Sequence, residues 1–236
     1  MNNQDNFYSF SDHETLCSAL ADVISSILQK GIIKNGRASL MVSGGSTPVL
    51  LFKTLSNKNL PWTNIDIGLV DERWVAADDN DSNEHLVRTH LLQNHGAAAN
   101  FTGMKTPAET ATDGENECSN NLRKIHHPFD VLLLGMGGDG HTASLFPGAE
   151  KLKAATEMNS GKICIGITPV TASHERMTLS LPAILAAENI FLHITGQDKK
   201  NVLEKALIAG EAEEFPIRFI LQQKETQSNF NIYWAQ

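Results

Sequence analysis

A recurring order of apolar strand, tight loop and helix limits what this chain can fold into more than any other feature. "ASLMVSGG" reads as a short strand running into a glycine turn, and Thr47-Pro48 then supplies a helix N-cap with proline at the first helical position before "VLLFKTL". "IDIGLVDERW" is a strand ending in charges, and "FDVLLLG", "KICIGIT" and "ENIFLHITG" are further apolar strands, each followed by polar or helical sequence. "FPIRFIL" and "FNIYWAQ" read as closing strands. Ahead of all these, Ser11 and Glu14 have the spacing of a capping box. Leu16, Leu20, Val23, Ile24, Ile27 and Leu28 then recur at helical intervals up to Gly31, so an amphipathic helix is expected to open the domain. The turn-rich, acidic "TPAETATDGENE" is expected as a surface excursion. Strands alternating with helices need right-handed crossovers, which predicts an α/β fold: a single doubly wound, largely parallel, Rossmann-like sheet flanked by helices. With 236 residues and 41% hydrophobic content the chain can bury one sizeable core, so residues 1–236 are expected to form one domain.

In such a sheet, ligands bind outside the carboxyl ends of the strands, where the strand order reverses. The stretches at those ends are "SGGSTP", "DERW", "GMGGDGH" and "TGQDK". Gly135-x-Gly137-x-x-Gly140 spells a dinucleotide fingerprint, yet Pro147 would cut short the long helix a pyrophosphate needs, and Asp139 would set a carboxylate among the phosphates. No dinucleotide is expected, and no Walker A sequence occurs. The loop Ser43-Gly44-Gly45-Ser46-Thr47 combines backbone N–H groups and hydroxyls at a helix N-terminus with no acidic side chain. That suits a phosphate monoester or a sugar, although alone it reads equally well as a plain turn between strand and helix.

Asp71, Glu72 and Arg73 bring three charges to the same edge, where Arg73 either grips a phosphate as a planar fork or pairs internally with Asp71 or Glu72. Lys199 is a second cation there, or else a solvated lysine opening the helix "NVLEKALIAG". His141 is the best candidate for chemistry. Of nine histidines it alone sits between a glycine loop and a small-residue turn, Thr142, Ala143 and Ser144. An imidazole with an ordinary pKa of about 6.5 takes a proton from water readily at neutral pH. Asp139 suits three roles: orienting His141, serving as a base itself, or capping a helix. His85, His90, His95, His126, His127 and His174 show no paired ligand spacing, and no metal is expected. Cys17, Cys118 and Cys164 form no C-x-x-C pair and are expected to be reduced thiols.

The balance of 27 acidic against 19 basic residues gives a formal charge of -8, which argues against nucleic acid and anionic membranes as partners. "MNNQDNFYSF" has neither the basic nor the apolar segment of a leader, and no apolar run is read as reaching the roughly 20 residues that span a bilayer. A cytoplasmic protein is expected, a monomer or weak homodimer, whose small anionic ligand needs a positive pocket of its own.

Together the loops resemble one family closely, the 6-phosphogluconolactonases that share the glucosamine-6-phosphate isomerase/deaminase fold. The matching stretches are "SGGSTP" at 43–48, "DERWV" at 71–75, "DSNE" at 81–84, "LLGMGGDGHTASLFPG" at 133–148, "RMTLSLPAILAA" at 176–187 and "TGQDKKNVLEKAL" at 195–207, in family order. The resemblance implies hydrolysis of 6-phospho-D-glucono-1,5-lactone to 6-phospho-D-gluconate, in the oxidative pentose phosphate pathway, without metal or organic cofactor. It implies His141 as general base, Arg73 and Lys199 on the phosphate, and Gly44, Gly45, Ser46 and Thr47 around the sugar phosphate. Asp71, Asn83 and Arg176 fall on matching positions. Ala76 departs from the family, which usually has proline there. Because a lactone is an activated ester, one positioned base and a few oxyanion donors suffice, and N–H groups near Gly137 and Gly138 are the expected donors. Glucosamine-6-phosphate deaminases are similar, but their sequence after the histidine runs towards "IAFNEP" where this chain has "TASLFP". A sugar-phosphate sensor is the reading from another class, although the chain has no helix-turn-helix extension.

Overall fold

Short apolar stretches set the strands of this protein, and the computed structural model describes residues 6–223 and 229–236. The first five residues, part of the stretch read for a leader, lie outside the described ones. The first element is a strand, β1 (Phe7–Phe10), and not the expected helix. α1 (His13–Asn35) comes next, capped by Asp12 in place of Ser11: the Asp12 carboxylate accepts from the Thr15 N–H at 2.8 Å. The helix continues through Gly31 and stops at Gly36, whose φ of 78° suits a residue without Cβ. Gly31 marks a close approach, since a Cβ there would lie 2.4 Å from Asp130 Oδ1. By length and composition α1 could cross a bilayer, contrary to the sequence reading. Here it buries Leu16, Leu20, Ile24 and Leu28 in the core.

The chain continues through β2 (Ala38–Val42), α2 (Val49–Ser56), β3 (Ile65–Leu69), β4 (Asp71–Arg73), α3 (Asn83–His90), β5 (Asn100–Thr102), α4 (Ala111–Leu122), β6 (Val131–Leu134) and α5 (Leu152–Thr156). It ends with β7 (Cys164–Ile167), β8 (Arg176–Leu179), α6 (Leu181–Leu185), β9 (Asn189–Thr195), α7 (Gln197–Leu207), α8 (Arg218–Leu221) and β10 (Asn229–Ala235). Seven strands form the expected parallel sheet in the order β1-β10-β9-β6-β2-β3-β5. β2, β3 and β6 are buried throughout, as parallel strands covered on both faces must be.

Several expectations need correction. The stretch "IDIGLVDERW" is two strands, because the chain leaves the parallel sheet after β3 and enters a second, antiparallel sheet ordered β4-β8-β7, to which "KICIGIT" also belongs. Val70 joins the two: its N–H donates to Val42 in one sheet and its carbonyl accepts from Leu179 in the other. "FPIRFIL" forms the short helix α8 because the buried Arg218 guanidinium donates to the carbonyls of Lys205, Ala206 and Glu211 around the end of α7. Most of "TPAETATDGENE" lies in or caps α4, where the Thr110 hydroxyl accepts from Asp113 N–H. At α2 the capping position is Pro48, with no side-chain cap bond, so Thr47 does not cap it. All three cysteines are free and buried.

Candidate active site

Strand order reverses beside β2. From there the chain builds outward to β3 and β5 on one side and to β6, β9 and β10 on the other, so the loops after β2 and β6 frame a crevice at the carboxyl edge. A pocket of about 300 Å³ lies there, lined by residues 43–48, Asp71, Arg73, Asn83, residues 133–137, His141, Thr142, Ala143, His193 and Lys199. Of the expected residues it gathers Gly44, Gly45, Ser46, Thr47, Asp71, Arg73, Asn83, Gly137, His141 and Lys199. Asp139 stands directly behind His141. Gly138 and Arg176 are not on the wall.

The loop after β6 closes on itself. Gly137 N–H donates to the His141 carbonyl at 2.8 Å, Gly140 N–H donates to the Gly137 carbonyl at 3.1 Å, and Gly140 has a φ of 76° that favours glycine. The Gly137 N–H is therefore engaged, and it does not serve as the oxyanion donor expected from sequence. A further hydrogen bond, from Thr142 Oγ1 to the Gly135 carbonyl at 2.7 Å, fixes the start of the loop. His141 stacks on Phe146 with ring centres 4.1 Å apart. Its Nδ1 lies 2.5 Å from Asp139 Oδ1, and the same oxygen accepts from the His141 backbone N–H at 3.1 Å. Burial pushes the Asp139 carboxyl up, but the hydrogen bond from the His141 ring, its charge and the backbone N–H together bring it down to about 2. Asp139 is thus held ionised beside the His141 ring, and no helix among the described residues begins at it. The described residues give His141 Nε2 no hydrogen bond, which leaves that nitrogen for a proton from outside the protein.

Around the phosphate-type loop, glycines make room. A Cβ on Gly44 would lie 1.8 Å from Asn83 Oδ1, so only glycine lets the loop rest on that side chain. Gly45 has a φ of 94°. Asn83 is itself fixed, donating through Nδ2 to the Asp71 carbonyl at 2.8 Å and to its carboxylate at 3.3 Å. The other Asp71 oxygen accepts from Ser144 Oγ at 2.6 Å, tying this strand to the loop that carries His141. Glu72 makes no ion pair with the cations among the described residues: its carboxylate accepts from Ser82 Oγ and from the N–H groups of Arg73, Asn83 and Glu84, anchoring the start of α3. Burial raises the Glu72 pKa despite those bonds.

Arg73 makes no ion pair with Asp71 or Glu72 among the described residues; its Nη1 donates to the Asp81 carbonyl at 2.5 Å. Lys199, in the first turn of α7, likewise has no ion-pair partner there. Two cations with no ion-pair partner among the described residues thus line one pocket of a protein whose net charge is -8. Arg176 is the cross-strand partner of Arg73 and is buried, with no hydrogen bond at Nη1 among the described residues. Its pKa is lowered by burial first and then by the nearby Arg73 charge. One wall residue escaped the sequence reading, His193. It hides inside an apolar strand, and burial, together with the neighbouring His13, holds its pKa down to about 3.

The doubly wound α/β sheet thus brings a histidine–carboxylate pair and two cations without ion-pair partners among the described residues to one pocket at its switch point. The family model described as "Glucosamine-6-phosphate isomerases/6-phosphogluconolactonase" matches residues 11–230, and the chain belongs to that family. It is 38% identical to the 6-phosphogluconolactonase of Rhizobium meliloti over 230 residues, covering 98% of each chain. The 6-phosphogluconolactonase of Neisseria meningitidis serogroup A is 37% identical over 231 residues, 98% of this chain and 99% of that one. A solved 6-phosphogluconolactonase structure from Shewanella baltica superposes with a TM-score of 0.95 at 42% identity, covering 98% of this chain and 97% of the other.

Proposed function

We propose that this protein hydrolyses 6-phospho-D-glucono-1,5-lactone to 6-phospho-D-gluconate. The observation that carries the reading is the His141–Asp139 pair, whose Nε2 has no hydrogen-bond partner among the described residues, with His141 in the same pocket as Arg73 and Lys199. The two cations bind the phosphate, Arg73 as a fork and Lys199 as a point charge, and the 43–47 loop wraps the sugar. Arg176, behind Arg73, adds positive potential to that end of the pocket.

His141 Nε2 takes a proton from water as the water oxygen bonds to the C1 carbonyl carbon. Asp139 stabilises the imidazolium that forms. Collapse of the tetrahedral oxyanion breaks the bond between C1 and the ring oxygen, the imidazolium returns its proton to that oxygen, and the new carboxylic acid ionises to solvent. No bond to the protein forms at any stage, because a lactone is reactive enough for positioned water. Free buried thiols fit a reducing, cytoplasmic setting.

The test generates the lactone in place from glucose 6-phosphate and its dehydrogenase, then monitors 6-phosphogluconate release with and without the protein. Acceleration over spontaneous ring opening, reduced about 10²- to 10⁴-fold in His141→Ala with little change in KM, is the expected result. A His141→Ala protein within a few-fold of wild type removes His141 from the mechanism. No acceleration by wild type overturns the lactonase reading, and glucosamine 6-phosphate is then the substrate to try.

A further inference from the structure

Three ligating side chains converge beside the pocket that the proposed chemistry does not use. His13 and Cys17 stand four residues apart at the start of α1, so they share a helix face, and His193 reaches them from β9. One ligand atom from each lies within 4.8 Å of the other two, and the Nε2 atoms of His13 and His193 are 3.3 Å apart. Bonds of about 2.05 Å to nitrogen and about 2.3 Å to sulfur place the ligands of a tetrahedral zinc ion about 3.3 Å apart for N to N and about 3.6 Å for N to S. The imidazole pair already has the first spacing. The thiol must close by roughly 1 Å at most to reach the second.

Packing alone accounts poorly for this cluster. His193 is 2% exposed; its Nδ1, which an ion between the two Nε2 atoms does not reach, is buried with no hydrogen-bond partner among the described residues. The polar neighbour of its other nitrogen is a second imidazole, in a contact where one ring must donate and the other accept. A cation between the rings is held by both lone pairs at once. Cys17 is wholly buried, whereas His13 is partly exposed and offers a path in from solvent.

We infer that His13, Cys17 and His193 form a binding site for a thiophilic divalent cation of the zinc class, which clips the start of α1 to β9 beside the pocket. Three protein ligands leave a fourth position for solvent. As the ion binds, the thiol releases its proton to solvent and the metal–sulfur bond forms. The site departs from the expectation of no metal, which rested on other histidines. His13 and His193 are 180 residues apart, and no local spacing reveals them.

The test titrates the chelator-stripped, full-length protein with Co²⁺. One equivalent should bind, giving visible absorption of tetrahedral strength and a thiolate-to-cobalt charge-transfer band in the near ultraviolet, and Zn²⁺ should displace it. Zn²⁺ at a hundredfold excess over its Kd should raise the thermal midpoint by roughly 5–10 °C. His13→Gln should weaken Co²⁺ binding at least tenfold, and Cys17→Ser should abolish the charge-transfer band. If Cys17→Ser does not fold, the wild-type spectrum and His13→Gln decide the matter. Failure of wild type to bind one equivalent, a spectrum without the charge-transfer band, or binding unchanged in His13→Gln overturns the site, as does a charge-transfer band that persists in Cys17→Ser.

Discussion

Replacing Gly137 by alanine should disable the site while leaving the fold standing. The backbone there is not in the left-handed region, so alanine meets no conformational barrier, but its Cβ would lie 2.1 Å from His141 Nδ1 and 2.6 Å from Asp139 Oδ1. Non-bonded carbon needs about 3.5 Å, so the imidazole must retreat by about 1.4 Å and give up its 2.5 Å contact with Asp139. A displacement of that size at a reacting group costs about 100-fold in rate, equivalent to about 2.7 kcal/mol in the barrier. Both side chains are partly exposed, so they can yield, and a loss of about 1 kcal/mol in stability corresponds to a fall of roughly 2–4 °C in Tm. Lactone hydrolysis should therefore show kcat about 100-fold down with KM within a few-fold. Gly138→Ala is the matched control: its Cβ meets nothing within 4 Å, and it should stay within a few-fold of wild type. Equal effects of the two substitutions, or a Gly137→Ala enzyme with near-normal kcat, would refute the assignment of the pair to the chemistry.

The same geometry sets three further outcomes. Arg73→Ala should raise KM about 10- to 100-fold with kcat nearly unchanged, because the phosphate is remote from C1; initial-rate kinetics check this, and an unaltered KM makes Arg73 structural. Asp139→Asn should lower kcat, because the imidazolium formed in the reaction loses its anionic partner; initial-rate kinetics check this, and an unchanged kcat makes the carboxylate dispensable. The folded Asp139 carboxyl is held at about 2 against an ordinary 3.8, so its contribution to stability is present above about pH 4 and disappears as pH falls towards 2. Urea unfolding of wild type and Asp139→Asn should accordingly differ more at pH 5 than at pH 2. Gly44→Ala should destabilise by about 2–4 kcal/mol as Asn83 is pushed off Asp71, and far less in an Asn83→Ser background; a double-mutant cycle with no coupling contradicts the contact.

Much of this was legible in the sequence for a physical reason. Parallel strands covered on both faces read as unbroken apolar runs, so the residues just after each run mark the carboxyl edge, and His141, Arg73, Lys199 and the 43–47 loop could be placed there from the residues alone. β1 and β5 were hidden by their brevity and edge positions. α4 was hidden because its inner face up to the last residue, Leu122, is built from small residues, Ala111, Gly114, Cys118 and Ser119, that carry little hydrophobic signal. They suffice because it packs on Gly166, where a Cβ would lie 2.6 Å from the Thr112 nitrogen. α8 depends on Arg218 reaching carbonyls at the end of α7, a partner only the fold supplies. His193 looked like one more residue of a buried strand, and the engagement of the Gly137 N–H by its own loop was equally unreadable.

The place of β1 in the sheet bears on how the protein is made. Residues 7–10 pair with residues 232–235, so β1, made before the other strands of its sheet, has no neighbour until β10 has been synthesised. By contrast, β6, β2, β3 and β5 can assemble as soon as residue 134 is free, and His141 follows on the loop after β6, but Arg73 on β4 gains its strand partner only with β8, residues 176–179. Lys199 joins them only after β9 docks on β6, and β10 and β1 close the edge last. A nascent chain therefore exposes half a pocket and an unpaired strand edge for most of its synthesis, the condition in which chaperone capture and edge-to-edge mispairing are most frequent.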